Sequence, residues 1–455
     1  MPRRVVLIST YELGRQPFGL ASPAAWLRRA GAMVTCLDLA VQCLDEEAIR
    51  AADLVAFYVP MHTATRLASA FGSRVKALNP HAHLCFYGLY APVNEGYLRS
   101  LGAETILGGE FEAGLVSLLA RLPDGANRDG QPEPVISLAR QNFLVPDRDD
   151  LVSLSRYASL ILNGEKRTVG YTEASRGCKH LCRHCPVVPV YGGQFRIVQR
   201  EAVLEDIRRQ VAAGAEHITF GDPDFFNGIG HSLAIVKAFR DEFAHITYDV
   251  TIKISHLLKH APHLQTLRET GCLFVTSAVE SLDDRVLALL DKGHTRRDFE
   301  EVVRLFREMG LTLAPTFVPF TPWISLEDYL DLLAILAELD LIENVGPIQL
   351  AIRLLIPAGS LLLELRDVQD HVEGFDEALL SYRWRHPDPR VDRLHEALQE
   401  LVRQEEANGA GRREIFGKVW QLAEQAAGKP GRGLVEKPRG PAHTPVPFMT
   451  EPWFC

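Results

Sequence analysis

The sequence predicts an α/β protein in three parts: a doubly wound parallel sheet, a partial barrel of six βα units, and a helical C-terminal extension with a tail. Three observations predict it. Short β-rich apolar runs alternate with amphipathic segments from the first residues to about position 122. A stretch rich in Pro, Gly, Asp and Asn then breaks the alternation, which resumes near Val169 with new strand–helix units. Beyond position 369 the pattern is helical, and residues 428–455 carry six prolines without helical period.

In the first part the runs Val5–Ser9, Met33–Leu37, Leu54–Val59, Leu84–Tyr87 and Glu104–Leu107 read as strands. Pro23–Ala30, Glu46–Ala52, Thr65–Leu78 and Phe111–Arg121 read as the helices between them. Five strands so spaced suggest a flavodoxin-like domain over 1–122, whose ligand crevice lies beyond the first and third strands, at Tyr11–Gly19 and Pro60–Thr63. Residues 123–165 read as a linker. The second part, 166–368, has strand candidates Gly170–Ala174, His217–Gly221, Tyr248–Lys253, Leu273–Glu280, Thr312–Phe317 and Ile348–Leu355. Helical candidates Val203–Ala213, Ser232–Phe243, Leu257–Thr270, Arg297–Met309 and Leu326–Leu339 separate them, so right-handed crossovers should gather reactive groups at the C-terminal strand ends. A helical region follows over 369–427, strongest at Asp376–Gln425. An extended proline-rich tail gains about 3.1 Å per residue, enough to cross the molecule.

Composition narrows the function classes. Apolar residues at 47% and charged residues at 24% of 455 positions fit an ordinary folded protein with a large core. A net charge of -9 argues against a nucleic-acid-binding surface. No apolar run reaches membrane-spanning length, so no membrane partner is expected. Eight cysteines are too few for a secreted disulfide scaffold of this length, and a cytoplasmic location follows. Cys36, Cys43, Cys85 and Cys272, in or beside apolar runs, read as inert core residues.

The remaining thiols carry the strongest signal. Arg176-Gly177-Cys178-Lys179-His180-Leu181-Cys182-Arg183-His184-Cys185-Pro186 follows the first barrel strand. Three thiolates within eight residues can grip one small inorganic cluster, because soft sulfur ligands favour iron–sulfur or zinc. Three ligands leave one iron of a four-iron cluster open. The competing reading is a zinc site completed by His180 or His184.

This Cys-x3-Cys-x2-Cys loop resembles that of the radical S-adenosylmethionine superfamily. The resemblance implies a 4Fe-4S cluster on Cys178, Cys182 and Cys185, with S-adenosylmethionine chelating the open iron and being cleaved reductively to a 5′-deoxyadenosyl radical. His184 stands where the family usually places an aromatic residue near the adenine. Gly221-Asp222-Pro223-Asp224 resembles the segment that meets the amino group of S-adenosylmethionine, so Gly221 and Asp222 become cofactor contacts. Ser277-Ala278-Val279-Glu280-Ser281, with Asp284-Arg285-Val286-Leu287 and Lys292-Gly293-His294, resembles the fourth βα unit, placing Glu280 and Ser281 near the ribose or methionine part. The bland alternatives are a plain Gly-Asp-Pro turn and a helix-capping Ser281 beside a structural ion pair. Lys253 and Arg353 end the third and sixth strands, as mouth contacts or as solvated charges.

The first domain resembles the cobalamin-binding-like domain preceding many such cores. No Asp-x-His-x-x-Gly string supplies a cobalt ligand, and His62 reads as a loop histidine, although class members bind cobalamin without that histidine. The tail Thr450-Glu451-Pro452-Trp453-Phe454-Cys455, with Arg176–Tyr191, resembles a family whose tail ends in Cys-Cys-Ala-Glu-Pro or Cys-selenocysteine-Ala-Glu-Pro (the CUAEP/CCAEP-tail radical SAM family). The expectation is a reading frame interrupted after Cys455 at a selenocysteine codon.

The leading expectation is a radical enzyme acting on an unknown substrate, reduced by a donor such as a flavodoxin or ferredoxin. The alternatives are a cobalamin-dependent radical methyltransferase and a non-catalytic iron–sulfur electron-transfer or metal-sensing protein.

Overall fold

The computed structural model describes residues 2–122, 132–429 and 446–451. Strands β1 (Arg4–Ser9), β2 (Met33–Asp38), β3 (Leu54–Tyr58), β4 (His83–Tyr87), β5 (Thr105–Gly109) and β6 (Ile136–Ser137) form one parallel sheet in the order β2-β1-β3-β4-β5-β6. Without β6 this is the 2-1-3-4-5 order anticipated from the spacing. Alternate residues serve opposite faces: Val5 and Leu7 pack with Leu20 and Leu115 on one side, Val6 and Ile8 with Phe57 and Phe86 on the other. Burial on both faces explains why these strands read as unbroken apolar runs.

The span read as a linker contributes a strand to each sheet, β6 to the first and β7 (Ser159–Leu162) to the second. Strands β7 and β8 (Glu165–Thr172) form a hairpin that turns at Asn163-Gly164, both at positive φ, 54° and 83°. A tight two-residue hairpin turn wants those two residue types. Arg148, also from that span, binds Asp206 at 2.8 Å and the Tyr171 carbonyl at 2.7 Å, fastening the first domain to the barrel.

β9 (Ser175–Gly177) and β10 (Phe195–Ile197) make a short antiparallel ribbon that brackets the cysteine loop. β11 (His217–Phe220), β12 (Thr247–Thr251), β13 (Cys272–Glu280) and β14 (Thr312–Phe317) continue the parallel curl from β8. Phe220, Tyr248, Val250 and Phe317 pack against Phe239 and Phe299 of the surrounding helices. The sixth stave, anticipated at Ile348–Leu355, is reduced to one parallel bridge between Phe320 and Arg353. Pro347 starts a 3-10 turn through Leu350 and leaves too little chain to pair.

Two helical expectations are also revised. Leu257–Thr270 is not one helix: Ile254–Lys259 and Leu264–Glu269 are separated by a turn holding Pro262. A hairpin of β15 (Val372–Asp376) and β16 (Ser381–Trp384) precedes the C-terminal helices Pro389–Ala407 and Arg412–Ala426. The tail returns as β17 (Phe448–Met449), antiparallel to β7, giving the barrel sheet the order β14-β13-β12-β11-β8-β7-β17. Cys455 and the tail motif around it lie outside the described residues. No helix among the described residues is long and apolar enough to cross a membrane.

Candidate functional site

The cysteine loop leaves the sheet where β8 ends, and buried Asp222 holds its root. That carboxylate accepts hydrogen bonds from the Ala174 amide at 2.9 Å and the Ser175 hydroxyl at 2.5 Å. Burial pushes Asp222 up to about 7 despite both bonds. Its neighbour Gly221 packs against Tyr171, whose hydroxyl would lie 1.8 Å from an added Cβ. Both residues predicted as cofactor contacts thus have a structural task, and Asp222 acts through the loop with both oxygens engaged.

The three thiols face one another closely enough to interact electrically. Burial pushes the Cys185 thiol up to about 12, and Cys182 and Cys178 add to the rise. Two cations oppose this accumulation: Lys253 donates to Cys182 Sγ at 3.3 Å, and Lys292 acts on both Cys182 and Cys185. Asn227 reaches the loop from the β11 side, with Oδ1 3.8 Å from Cys178 Sγ and 3.3 Å from the Lys179 amide. Lys253 therefore belongs to the mouth. Arg353 does not: it pairs with Asp392 at 2.7 Å and stacks on Trp384 at 3.5 Å, away from the loop.

Opposite the thiols stands Glu280, at the C-terminal end of β13. Its φ is 69°, and the β13–β14 register shifts between Ala278 and Glu280. A bulge with left-handed backbone at a non-glycine costs about 1–3 kcal/mol and re-aims the side chain. The carboxylate meets His184 Nε2 at 3.1 Å and Lys292 Nζ at 3.2 Å. Burial alone would raise its pKa, but Lys292 and His184 outweigh burial and hold Glu280 well below the usual carboxylate range. Ser281 accepts the Asp283 amide at 3.1 Å, so it also serves as a local cap.

The mouth keeps buried polar atoms without protein partners. Among the described residues, His184 Nδ1, both ring nitrogens of His294 and Ser277 Oγ have none. Burial, then Lys292 and Lys253, push His294 down to about 4, so it is a neutral imidazole at physiological pH. Orphaned groups of this kind suit a polar ligand rather than an empty apolar pocket. Apart from these residues, Phe274 and Thr276 of β13, Ala314 and Thr316 of β14, and Phe448 and Met449 of β17 border a cavity of about 800 Å³ that also meets Asn344, Arg412 and Arg413.

Zinc fits less well. His184 is turned to Glu280, and His180 lies 3.3 Å from Asp224, so neither completes a tetrahedron with all three thiols. Cys178, His180 and Asp224 could themselves hold an ion, their donor atoms all within 4.8 Å, but that would divert Cys178 from the other thiols. The donor set that uses every thiol is a four-iron cluster with one open corner, and the flanking lysines favour it.

Sequence reasoning missed Arg176, Asp224, Asn227 and Lys292 as parts of the site. Arg176 is 7% exposed and binds Glu112 at 2.8 Å, Glu173 at 2.7 Å and Glu110 at 3.4 Å. Its guanidinium also stacks within 5.5 Å of Phe18, Phe111 and Phe143. The one signal available was an arginine two residues before the first cysteine. Two other expectations are revised. Cys43 is exposed, whereas Cys36, Cys85 and Cys272 are buried. His62 is buried, and its Nε2 meets the Leu379 carbonyl.

The Radical SAM superfamily model matches residues 172–340, the span that holds the three-thiol loop and strands β9–β14. The chain is similar to the hopanoid C-3 methylase of Methylococcus capsulatus, 25% identical over 325 residues. That match covers 68% of this chain and 62% of the relative, so the chain spans less than two thirds of that protein's length. The fold resembles the cobalamin-dependent S-adenosylmethionine radical enzyme OxsB, solved with aqua-cobalamin and S-adenosylmethionine bound (TM-score 0.68, 14% identity, 89% of this chain and 67% of that one). It also resembles the radical S-adenosylmethionine methyltransferase TsrM from Kitasatospora setae, solved with cobalamin and a [4Fe-4S] cluster (TM-score 0.58, 17% identity, 75% and 71%).

Proposed function

We propose that this protein is a radical S-adenosylmethionine enzyme whose cluster is held by Cys178, Cys182 and Cys185. The observation that supports it most is the meeting of those three thiols with Lys253, Lys292, Glu280 and unpartnered imidazoles at one barrel mouth. A cluster held by these thiols would supply the single electron needed for reductive cleavage of S-adenosylmethionine. The chain's own residues do the rest. Lys253 and Lys292 offset the negative charge of the thiolates. His184, fixed by Glu280, presents a planar ring beside Cys185, and His294 offers a neutral donor and acceptor. Asp222 and Arg176 keep the loop in place. Anaerobically reconstituted protein given S-adenosylmethionine and dithionite should form 5′-deoxyadenosine, measured by chromatography. A stable cluster without that product would instead favour an electron carrier or sensor.

A second reading, cobalamin-dependent methylation, is supported by the hopanoid methylase match and by the two cobalamin-bound neighbours. Beside the crevice beyond β1 and β3, aromatic packing is tight. The Tyr58 ring lies on Gly19, 2.1 Å from an added Cβ, and against Gly88 at 3.0 Å, and His62 is engaged elsewhere. Absorbance spectra after incubation with hydroxocobalamin test this, since a retained corrinoid would favour methylation. The tail resemblance to the selenocysteine-containing family is tested by the codon after Cys455: anything but UGA followed by Ala-Glu-Pro codons rejects it.

A further inference from the structure

We propose that Asp224, His180 and His256 form a second metal site, which takes one divalent transition-metal ion beside the cysteine loop. The site goes beyond the proposed activity and does not depend on cleavage of S-adenosylmethionine. Asp224 closes the turn Gly221-Asp222-Pro223-Asp224, and the two aspartates divide its work. Asp222 spends both oxygens on the root of the loop. Asp224 spends one: its Oδ1 accepts the Phe226 amide at 3.1 Å as the cap of the 3-10 turn Phe225–Gly228. That bond fixes the carboxylate and turns Oδ2 toward two imidazoles. Nδ1 of His256 lies 2.6 Å from Oδ2, and Nε2 of His180 lies 3.3 Å from it.

Neither contact has hydrogen-bond geometry. Among the described residues, Asp224 Oδ2, His256 Nδ1 and His180 Nε2 all lack a hydrogen-bond partner, although Asp224 is only 1% exposed and His256 3%. Facing lone pairs with no proton along the line between them repel, and a buried carboxylate oxygen left unsatisfied is costly. A cation accepted by all three atoms removes both penalties. Ligand distances of about 2.0–2.2 Å put neighbouring donors on one ion about 3–3.5 Å apart, close to the separations around Oδ2. His180 comes from the cysteine loop and His256 from the helix Ile254–Lys259, with ring centroids 4.6 Å apart. The ring torsion of histidine is soft, so both nitrogens can swing onto a common point. Two imidazoles and one carboxylate suit zinc or ferrous iron, whereas calcium and magnesium want oxygen ligands throughout. Donor atoms of Cys178, His180 and Asp224 lie within 4.8 Å of one another, so the ion sits beside the Cys178 sulfur. With His256 as the third protein ligand, the ion does not need that sulfur, which stays with the other thiols. The His180 side chain is 22% exposed, which gives an entry path and leaves a coordination position for water.

The test uses full-length protein reconstituted anaerobically with iron and sulfide, cleared of loosely held metal with a chelator, given zinc as the probe and desalted. Iron and zinc per chain are then measured by mass spectrometry. The expected result is about one zinc per chain with iron unchanged, and a zinc-edge X-ray absorption spectrum showing nitrogen and oxygen at about 2.0–2.1 Å without sulfur at about 2.3 Å. Asp224→Asn and His256→Gln, which keep the bulk of each side chain, should each retain iron and lower bound zinc about tenfold or more. No zinc on the unsubstituted protein, unchanged zinc in both variants, zinc lost from them only together with iron, or sulfur in the zinc shell overturns the site. Iron content reports on the cluster and zinc content on this site, so either reading can fail without the other.

Discussion

The molecule contains two crevices of the same topological kind, each at the C-terminal edge of a parallel sheet, and they are finished in opposite ways. The barrel mouth keeps three thiols, a strained Glu280 and, among the described residues, ring nitrogens of His184 and His294 without a protein partner. The edge of the first sheet is packed shut: Tyr58 lies on Gly19, Tyr87 donates to the Gly19 carbonyl at 2.8 Å, and Glu112 takes both Ser22 and Arg176. Topology thus says where a ligand could sit, and only the side chains say whether there is room and need for one. The two edges are also joined. Arg176, two residues before Cys178, is held by Glu110 and Glu112 from the end of β5, so the first domain helps to seat the cysteine loop.

Substitutions sharpen the contrast, beginning with the largest effect. Cys182→Ala should abolish cluster assembly, read as loss of iron and of visible absorbance, and with it all 5′-deoxyadenosine. A cluster that survives would mean that the thiols are not its ligands. Next is the joint between the crevices. Arg176→Ala leaves three buried carboxylates facing one another and should destabilise the protein by about 3–5 kcal/mol in denaturant unfolding. A near-neutral result would show that the network is not coupling the domains.

The closed crevice should resist filling more mildly. Gly19→Ala forces a methyl into the Tyr58 ring and should cost about 1–3 kcal/mol. Adding Tyr58→Ala should relieve the clash, so the double variant should lose less than the sum of the two singles. Strict additivity would contradict the packing described. An effect of the same size is expected of Asp222→Asn, at about 1–3 kcal/mol for a buried donor left without an acceptor. The raised pKa of Asp222 means that the native state prefers it protonated. Its contribution is complete below about pH 4 and is lost as pH rises through about 7. Glu110, pushed by burial to about 7, titrates in the same window, so the informative quantity is the difference between wild type and variant. Urea midpoints from pH 4 to 8 should fall more steeply for the wild type, and parallel curves would contradict the assignment.

Much of this architecture is readable from local pattern. Strands buried on both faces and spaced by helices announce parallel sheets, and three cysteines in eight positions announce the site. Pattern failed where a few residues decide the matter. Pro347 and Pro262 broke a strand and a helix that apolar periodicity alone would continue. The Asn163-Gly164 turn was a hairpin signal inside a span whose composition suggested only a linker. Arg176 and Asp224 gave no comparable signal, because their partners lie far away in sequence: Glu112 is 64 residues from Arg176, and His256 is 32 from Asp224. Glu280 was found by its motif, but its left-handed backbone and two partners belong to the folded chain.

The central claim is that three thiols hold a four-iron cluster with one iron left for S-adenosylmethionine at the barrel mouth. Mössbauer spectra of iron-57-reconstituted protein, recorded with and without S-adenosylmethionine, test it most directly. A single iron site should change its isomer shift and quadrupole splitting when S-adenosylmethionine is added. Iron sites that stay indistinguishable and unmoved, or a protein that takes up zinc in place of iron, would contradict it.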